Sequence, residues 1–393
     1  MSWKSDLFEA RRSDVLADLA AEGFSGLAVG AWGSALGVAN GSLGFLRYLV
    51  DFNPLNSFAL LLLKARRRPV LLVQNVFYAA RASETLPGVE VLFVPPDQFP
   101  AEAASRVREL FARGEPVAVA GKNWMSWPLW AALSGCGPRW GDGEGLLARR
   151  RTVKEPWELE LHRRGGEICD RMVASLGGLV RSGKPAYQIQ AALEHIAKDE
   201  GAEYAQTWLT VAPRADRCRF TRDEGLRTPQ TGDQVLLGIF LMYEGYWGHE
   251  LRTGAVGTPD ARQVELFETV KAMEDAGFGK LRPGNDLKNA AGAMTDVLER
   301  RKRAEWGSLF RFRDGHGLGL DYEEPILTGP FPHDYAPPAQ EPESVEVRPG
   351  MVFELHPNVF SAAVGGAVIG DMVEITPRGP EFITRSPREL AVW

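Results

Sequence analysis

Two segments with an alternating, strand-like pattern each carry a histidine beside other side chains that could take part in chemistry. In YWGHEL, His249 shares a strand face with Trp247, and in FELHPN, His356 shares one with Glu354. Imidazole binds zinc, iron, copper and nickel, and a carboxylate beside it can orient the ring, join the metal or act as a base. A glutamate that merely faces solvent is the alternative for Glu354. These residue types indicate metal-assisted or acid–base chemistry.

The elements that must position these histidines occur in the same order twice. The predicted elements are helices at 156–180 and 186–199, a hairpin at 233–256, helices at 262–277 and 287–306, and strands at 351–360 and 367–375. Such duplication predicts a pseudo-twofold domain in which two antiparallel hairpins form a curved sheet, with helices outside and a cleft on the concave face. Residues from distant segments would meet in that cleft.

The first part of the chain has a different pattern. An amphipathic helix leads into short apolar runs near 26–29, 58–63, 70–73 and 89–94, which predict a small α/β domain. A passage rich in Gly, Pro and Trp follows, and the long helical pattern begins just after residue 150. The predicted fold class is therefore α+β, with an N-terminal domain at 1–150 and a C-terminal domain at 151–393.

Composition limits the classes of partner. The chain is 45% hydrophobic and 24% charged, with a net charge of -6 and a pI near 5.7. That balance argues against nucleic acid or a membrane surface as partner, since both attract clustered positive charge. It favours small-molecule or protein partners, and the expected partner is a small-molecule substrate. Three widely spaced cysteines and the lack of a continuous apolar segment near residue 1 predict a cytoplasmic protein.

Four segments carry a family resemblance. In order and spacing they resemble the signature stretches of the pita-bread fold of methionine aminopeptidases, prolidases and creatinase; the segments are GDQVLLGIFLMYEGYWGHELRTGAVG, DGHGLGLDYEEP, RPGMVFELHPNVF and GGAVIGDMVEIT. The resemblance implies a creatinase-like N-terminal domain and a C-terminal pita-bread catalytic domain. It also implies a homodimer, because two-domain relatives commonly pair.

The resemblance also implies an altered metal site. Peptidases of this family hold two divalent ions with two Asp, one His and two Glu. In this sequence the corresponding positions are, in order, Gly238, His249, His316, His356 and Gly370. The three histidines would surround one metal, and the two glycines would empty the position of the other. We therefore expect one divalent transition metal per chain, iron or zinc first and manganese as a further option.

Several functions remain open for such a site. The expected function is hydrolysis of a C–N bond in an amide, amidine or heterocycle by an enzyme that is not a general peptidase. Peptide substrates are disfavoured because segment 211–225 lacks the substrate-binding histidine of the peptidase relatives. The alternatives are a three-histidine non-haem iron oxygenase, a lyase, and a metal-free pseudoenzyme or binding protein.

The resemblance assigns further residues around the metal. Glu323 falls at the family's second catalytic histidine and is expected to share acid–base work with Glu354, while Arg252 is expected to support the site by hydrogen bonding. Aromatic side chains near the cleft could stack a planar substrate, or could only pack the hairpin. An arginine-rich segment at 214–222 could bind an anionic group, or could only be solvated. The residues expected to bind substrate are Trp208, Arg219, Tyr246 and Trp247.

Overall fold

The structure is a computed structural model that describes residues 2–33, 41–217, 224–327 and 344–393, with no side-chain description at 2, 3, 41, 224 and 322–327. The chain divides into two compact units, Met1–Arg151 and Thr152–Trp393. Both units combine helices with sheets, so the predicted α+β, two-domain fold class is confirmed. Over the described ranges, no helix is both long and apolar enough to cross a bilayer.

The first unit is built around one six-stranded sheet with the strand order β4-β3-β2-β1-β5-β6. Strand β1 pairs antiparallel with β2 and parallel with β5, so the sheet is mixed. Its elements are α1 (Ser2–Ala21), β1 (Gly26–Trp32), α2 (Gly41–Val50), β2 (Phe58–Lys64), β3 (Val70–Val73), α3 (Val76–Thr85), β4 (Glu90–Phe93), α4 (Phe99–Leu110), β5 (Pro116–Ala120), α5 (Trp127–Ser134), β6 (Arg139–Asp142) and α6 (Glu144–Thr152).

The second unit repeats a pair of helices followed by antiparallel strands. Its first half contains α7 (Pro156–Val180), α8 (Ala186–Asp199), β7 (Tyr204–Ala212), β8 (Gln234–Tyr243) and β9 (Tyr246–Ala255). Its second half contains α9 (Ala261–Lys280), α10 (Lys288–Arg301), β10 (Leu309–Phe310), β11 (Gly315–Leu318), β12 (Tyr322–Leu327), β13 (Val352–Leu355), β14 (Asn358–Ser361), β15 (Gly365–Val368), β16 (Asp371–Thr376), β17 (Gly379–Phe382) and β18 (Ala391–Val392).

Local sequence explains where the main elements of the second unit begin and turn. Helix α7 begins at Pro156, whose fixed φ suits the first turn, and Glu155 and Glu158 form a capping box there. Between β8 and β9, Glu244 and Gly245 have φ values of 44° and 90°. Two positive φ angles give the turn a twist that matches the strands it joins, so the hairpin closes tightly and fixes its register.

The strands of the second half are shorter than predicted. The expected strand at 351–360 is split into β13 and β14 by Pro357, which has no N–H to donate to a neighbouring strand. The expected strand at 367–375 is likewise split at Gly370, whose backbone forms an isolated antiparallel bridge with Leu251 of β9. That bridge connects the sheet of the first half to the strands of the second half and brings β9 close to β16.

Candidate metal centre

His249 lies near the middle of β9, where its ring is buried and oriented by the backbone. Its Nδ1 lies 2.6 Å from the carbonyl oxygen of Ile239, and its ring stacks on Phe240 with centroids 4.5 Å apart. A carbonyl oxygen only accepts, so Nδ1 is the donor and the ring lone pair is on Nε2. Burial lowers the pKa of His249 to about 3, which keeps the imidazole neutral and able to bind a cation.

His316 lies on β11 and is held in the same way. Its Nδ1 lies 3.0 Å from the carbonyl oxygen of Gly317, which again puts the lone pair on Nε2. Burial, and then repulsion from His356 and His249, lower the pKa of His316 well below its usual value. The ring is fully buried and neutral.

His356 follows β13 and differs from the other two histidines. Neither of its ring nitrogens has a hydrogen-bond partner among the described residues. Its backbone N–H donates to the carbonyl oxygen of Asp314, and its ring lies against Phe312 with centroids 5.6 Å apart. Burial, and then repulsion from His249, lower the pKa of His356 well below its usual value.

The three imidazoles converge on one point. Ring centroids are 5.6 Å apart for His249 and His316, 5.7 Å for His249 and His356, and 5.0 Å for His316 and His356. One ligand nitrogen from each ring lies within 4.8 Å of the other two. A group with this spacing could hold one metal ion, which in the case of zinc would be bound by histidine at about 2.1 Å. The residues therefore fit a transition-metal ion, and neutral lone pairs are the donor type such an ion requires.

The two glycines that replace family ligands do not leave empty space. A Cβ added at Gly238 would lie 2.1 Å from Nε1 of Trp208, which comes from the directly paired position of β7. A Cβ added at Gly370 would lie 2.5 Å from Oε1 of Glu354 and 2.9 Å from Cβ of His356. Trp208 and Glu354 therefore occupy the volumes that side chains at positions 238 and 370 would need.

Glu354 places a carboxyl group beside the histidines. It is opposite His316 in the pairing of β11 with β13, is fully buried, and has no hydrogen-bond partner for either oxygen within the described ranges. Burial, and then the charges of Asp371 and Glu274, raise its pKa well above the usual value. Glu323, the other residue expected to do acid–base work, is on β12, and its side chain lies outside the described residues.

Arg252 points to the side of β9 opposite to His249. Its Nη1 donates to the carbonyl oxygen of Gly370 at 2.8 Å, and its Nη2 donates to Oδ1 of Asp371 at 2.7 Å and lies 2.9 Å from Glu250. Burial opposes the charge of Arg252, but Glu250 and Asp371 raise its pKa. Arg252 thus holds the backbone around Gly370 and neutralises a buried acidic cluster.

The residues expected to bind substrate are distributed over both sides of the sheet. Trp247 is on the His249 side, where its ring packs edge-on against Tyr204 at 5.9 Å. Tyr246 is on the α7 side, where its hydroxyl donates to Glu158 and its ring packs against Trp157. Trp208 is almost fully buried in the apolar cluster that also contains Leu251. Arg219 lies outside the described residues.

Sequence reasoning did not find the residues that fix the loop before His316. Asp314 forms a buried ion pair with Arg311 and accepts the backbone hydrogen bond of His356. Asn358 joins the same loop to the backbone of His356. A polar residue directly after His356-Pro357, at the start of a buried strand, is the signal that could have identified Asn358.

Comparison with known proteins decides the family. The model of metallopeptidase family M24 matches residues 160–377, which is more than half of the chain and includes all three histidines. The chain belongs to metallopeptidase family M24. The prediction of a pita-bread fold related to creatinase and prolidase is therefore confirmed, and membership of a metallopeptidase family supports the prediction of a metal-dependent, hydrolase-like enzyme.

Curated M24 relatives align with 63% of this chain. A Xaa-Pro dipeptidase of Pyrococcus horikoshii is 27% identical over 252 residues, which is 66% of its own length. A probable dipeptidase PepE of Mycobacterium tuberculosis is 29% identical over 251 residues, which is 62% of its length. The chain thus spans slightly less than two thirds of each of these relatives.

Solved structures resemble the chain over nearly its whole length. A recombinant prolidase from Thermococcus sibiricus has a TM-score of 0.82 at 22% identity and covers 98% of this chain and 99% of its own. The dipeptidase PepE from Mycobacterium ulcerans has a TM-score of 0.77 at 23% identity, with coverages of 99% and 98%. At these identities the likeness establishes the fold.

The relatives contradict two expectations from the sequence. The expected function was hydrolysis of a C–N bond by an enzyme that is not a peptidase, with an oxygenase, a lyase and a pseudoenzyme as alternatives. That expectation is wrong, because the M24 relatives are named dipeptidases and prolidases. The expected small-molecule partner is wrong for the same reason. The expectation against peptides rested on the lack of a histidine in segment 211–225, and the expected partner rested on composition, which does not distinguish a dipeptide from other small substrates.

Proposed function

We propose that this M24 protein is a metal-dependent dipeptidase whose reaction centre is a single transition-metal ion held by His249, His316 and His356. The observation that carries the proposal is the convergence of three buried, neutral imidazoles whose ligand nitrogens lie within 4.8 Å of one another. The names of the relatives, Xaa-Pro dipeptidase and dipeptidase PepE, support a dipeptide as substrate.

A single ion fits the site better than two. Trp208 and Glu354 fill the volumes beside Gly238 and Gly370, where two further ligands would have to be placed. The apolar indole of Trp208 provides no anionic ligand for a second cation. Imidazole suits zinc or iron, whereas manganese prefers oxygen ligands, so zinc or iron is the proposed ion.

The chain's own residues support the reaction in distinct ways. A divalent ion held by neutral imidazoles supplies Lewis acidity toward a carbonyl oxygen and lowers the pKa of water. Glu354 lies beside His356, and neither of its carboxylate oxygens forms a hydrogen bond with the described residues. We assign Glu354 a part in proton transfer, together with Glu323. Trp208 and Trp247 are almost fully buried, and we assign Trp208 the exclusion of water from the site and Trp247 a wall for substrate.

Metal content and dipeptide hydrolysis test the proposal together. We expect elemental analysis of protein purified without chelator to give about one equivalent of zinc or iron per chain. A panel of Xaa-Pro and other dipeptides, assayed by release of free amino acid, should include a substrate whose hydrolysis stops on chelation and returns when the metal is restored.

The variant His316→Ala separates the metal site from the rest of the fold. We expect it to lose the bound metal and on the order of 10³-fold in activity, because Lewis-acid stabilisation amounts to several kcal/mol. The matched control is His195→Ala, since His195 is an exposed residue of α8. Two equivalents of metal per chain, or dipeptide hydrolysis that survives in His316→Ala, would contradict the proposal.

A further inference from the structure

Asn358 has an unusual position relative to the three histidines. It is the first residue of β14, two residues after His356, and its side chain is fully buried. An amide buried at such a place has to satisfy its polar atoms within the protein, because an unpaired buried amide would cost about 1–3 kcal/mol. Its hydrogen bonds therefore show which parts of the chain it connects.

The Asn358 amide connects two segments that carry metal-centre histidines. Its Oδ1 accepts from the backbone N–H of Phe312 at 2.8 Å, and its Nδ2 donates at 3.0 Å to the carbonyl oxygens of Arg313 and His356. Segment 312–313 leads directly into β11 and His316. One side chain thus fixes the distance between the backbone of His356 and the chain that delivers His316.

The need for such a connection differs among the histidines. Backbone carbonyl oxygens hold the rings of His249 and His316 through Nδ1, whereas neither ring nitrogen of His356 has a partner among the described residues. The orientation of His356 therefore depends on its backbone and on the ring of Phe312, which packs against it with centroids 5.6 Å apart. Asn358 bonds to the backbone of Phe312 as well as to that of His356.

We infer that Asn358 is a positioning residue of the metal centre: it sets the His356 ring for coordination by fixing both His356 and Phe312. This inference rests on the three-histidine metal site of the proposed function. Asn358 touches no imidazole nitrogen, so it acts through other residues. Ligating histidines usually receive such support from a hydrogen bond to the ring, and the Asn358 amide replaces that bond for His356.

The test uses Co²⁺ binding to the full-length protein, freed of metal and titrated with the metal alone. We expect Asn358→Ala to bind Co²⁺ about 10- to 100-fold more weakly than the wild type, which is the usual loss when support of a ligand is removed. We also expect a shift of the visible absorption bands of bound Co²⁺, because those bands depend on the geometry of the ligands.

Ser361→Ala is the matched control. Ser361 is buried in the same strand, donates to the carbonyl oxygen of Trp306, and accepts from the N–H groups of Ala363 and Val364. Its removal costs buried hydrogen bonds of the same strand without touching segment 312–316. We expect Ser361→Ala to lose thermal stability and to keep the wild-type Co²⁺ affinity and spectrum.

A second variant guards against misfolding of the first. Phe312→Leu keeps the backbone bonds of Asn358 but removes the ring that packs against His356, so its Co²⁺ spectrum should shift as well. The inference would be overturned if Asn358→Ala had the Co²⁺ affinity and spectrum of the wild type. It would also be overturned if Asn358→Ala and Phe312→Leu both failed to fold while Ser361→Ala folded. No binding of Co²⁺ by the wild type would instead overturn the proposed function.

Discussion

The two sides of strand β9 have opposite kinds of polar chemistry. On one side, His249 meets His316 and His356 among aromatic and aliphatic side chains. On the other side, the adjacent residue Glu250 faces Arg252 within a buried network of charged groups. The further members of that network are Asp371, Glu274 and Arg388.

The difference teaches which side can take up a cation. Burial keeps the three imidazoles neutral, so their lone pairs require no counter-charge before they bind a metal. The carboxylates of the other side already have the guanidinium groups of Arg252 and Arg388 as counter-charges. The first side is therefore suited to metal binding and the second to holding the fold, and separate substitutions should affect the two properties separately.

The largest effect on stability is expected for Arg252→Met. Removing the guanidinium leaves Asp371 buried without its main counter-charge, which typically costs about 3–5 kcal/mol. Glu250, whose pKa is raised to about 8 by burial, would instead take up a proton. The folded protein should still bind its metal, because the Arg252 side chain lies on the face of β9 opposite to His249. Urea unfolding gives the loss of stability, and elemental analysis of the folded fraction gives the metal.

Arg163→Met is the control for that prediction. Arg163 also pairs with glutamates, but its side chain is 42% exposed, so its loss should cost no more than about 1 kcal/mol. If Arg252→Met lost its metal at nearly unchanged stability, the functional separation of the two sides of β9 would be wrong.

Much of the architecture around the site could be predicted from local sequence. Helices at 156–180 and 186–199 end where predicted because apolar spacing, Pro156 and the capping box are local signals. The approach of His249 to His356 followed from strand alternation together with family resemblance. Alternation gave the face of each histidine, but only the resemblance indicated that the faces meet.

Other features depend on contacts that local sequence does not encode. Trp208 fills the space beside Gly238 only because of the register between β7 and β8, and strand β7 itself was not predicted. A glycine inside the apolar run VLLGIF signals close approach of another group, but it does not name that group. In the same way, the hydrogen bonds of Asn358 to Phe312 and Arg313 depend on a loop that is more than forty residues away in sequence.

The glycines on the histidine side provide the next prediction. Gly238→Ala and Gly370→Ala should each cost about 1–3 kcal/mol, because the added methyl group meets Trp208 at 2.1 Å or Glu354 at 2.5 Å. In the double variant Gly238→Ala with Trp208→Leu, the smaller leucine makes room for the added methyl group. The loss of stability in the double variant should therefore be less than the sum of the losses in the two single variants. Urea midpoints of the three variants measure that coupling.

Gly292→Ala is the matched control for the two glycines. Gly292 is in α10, and a Cβ there would have no neighbour within 4 Å. Alanine should therefore stabilise the helix by about 0.5–1 kcal/mol. Additive costs in the Gly238 and Trp208 pair would mean that the indole does not occupy the space of the missing side chain.

The last expected effect is a pH dependence and concerns His162, a fourth histidine on the helix side of β9. Its Nδ1 lies 3.1 Å from the carbonyl oxygen of Trp247, and burial lowers its pKa to about 3. The unfolded chain binds the proton near pH 6.5, so the stability associated with neutral His162 is complete above that pH and is lost as the pH falls toward 3. The loss in the free energy of unfolding approaches about 1.4 kcal/mol per pH unit.

His162→Gln should therefore be less stable than the wild type at pH 8 but lose less stability between pH 7 and pH 5, as measured by urea unfolding. Both proteins contain the metal-centre histidines, so the difference between the two curves isolates His162, and parallel curves would show that its ring does not stay neutral in the folded protein.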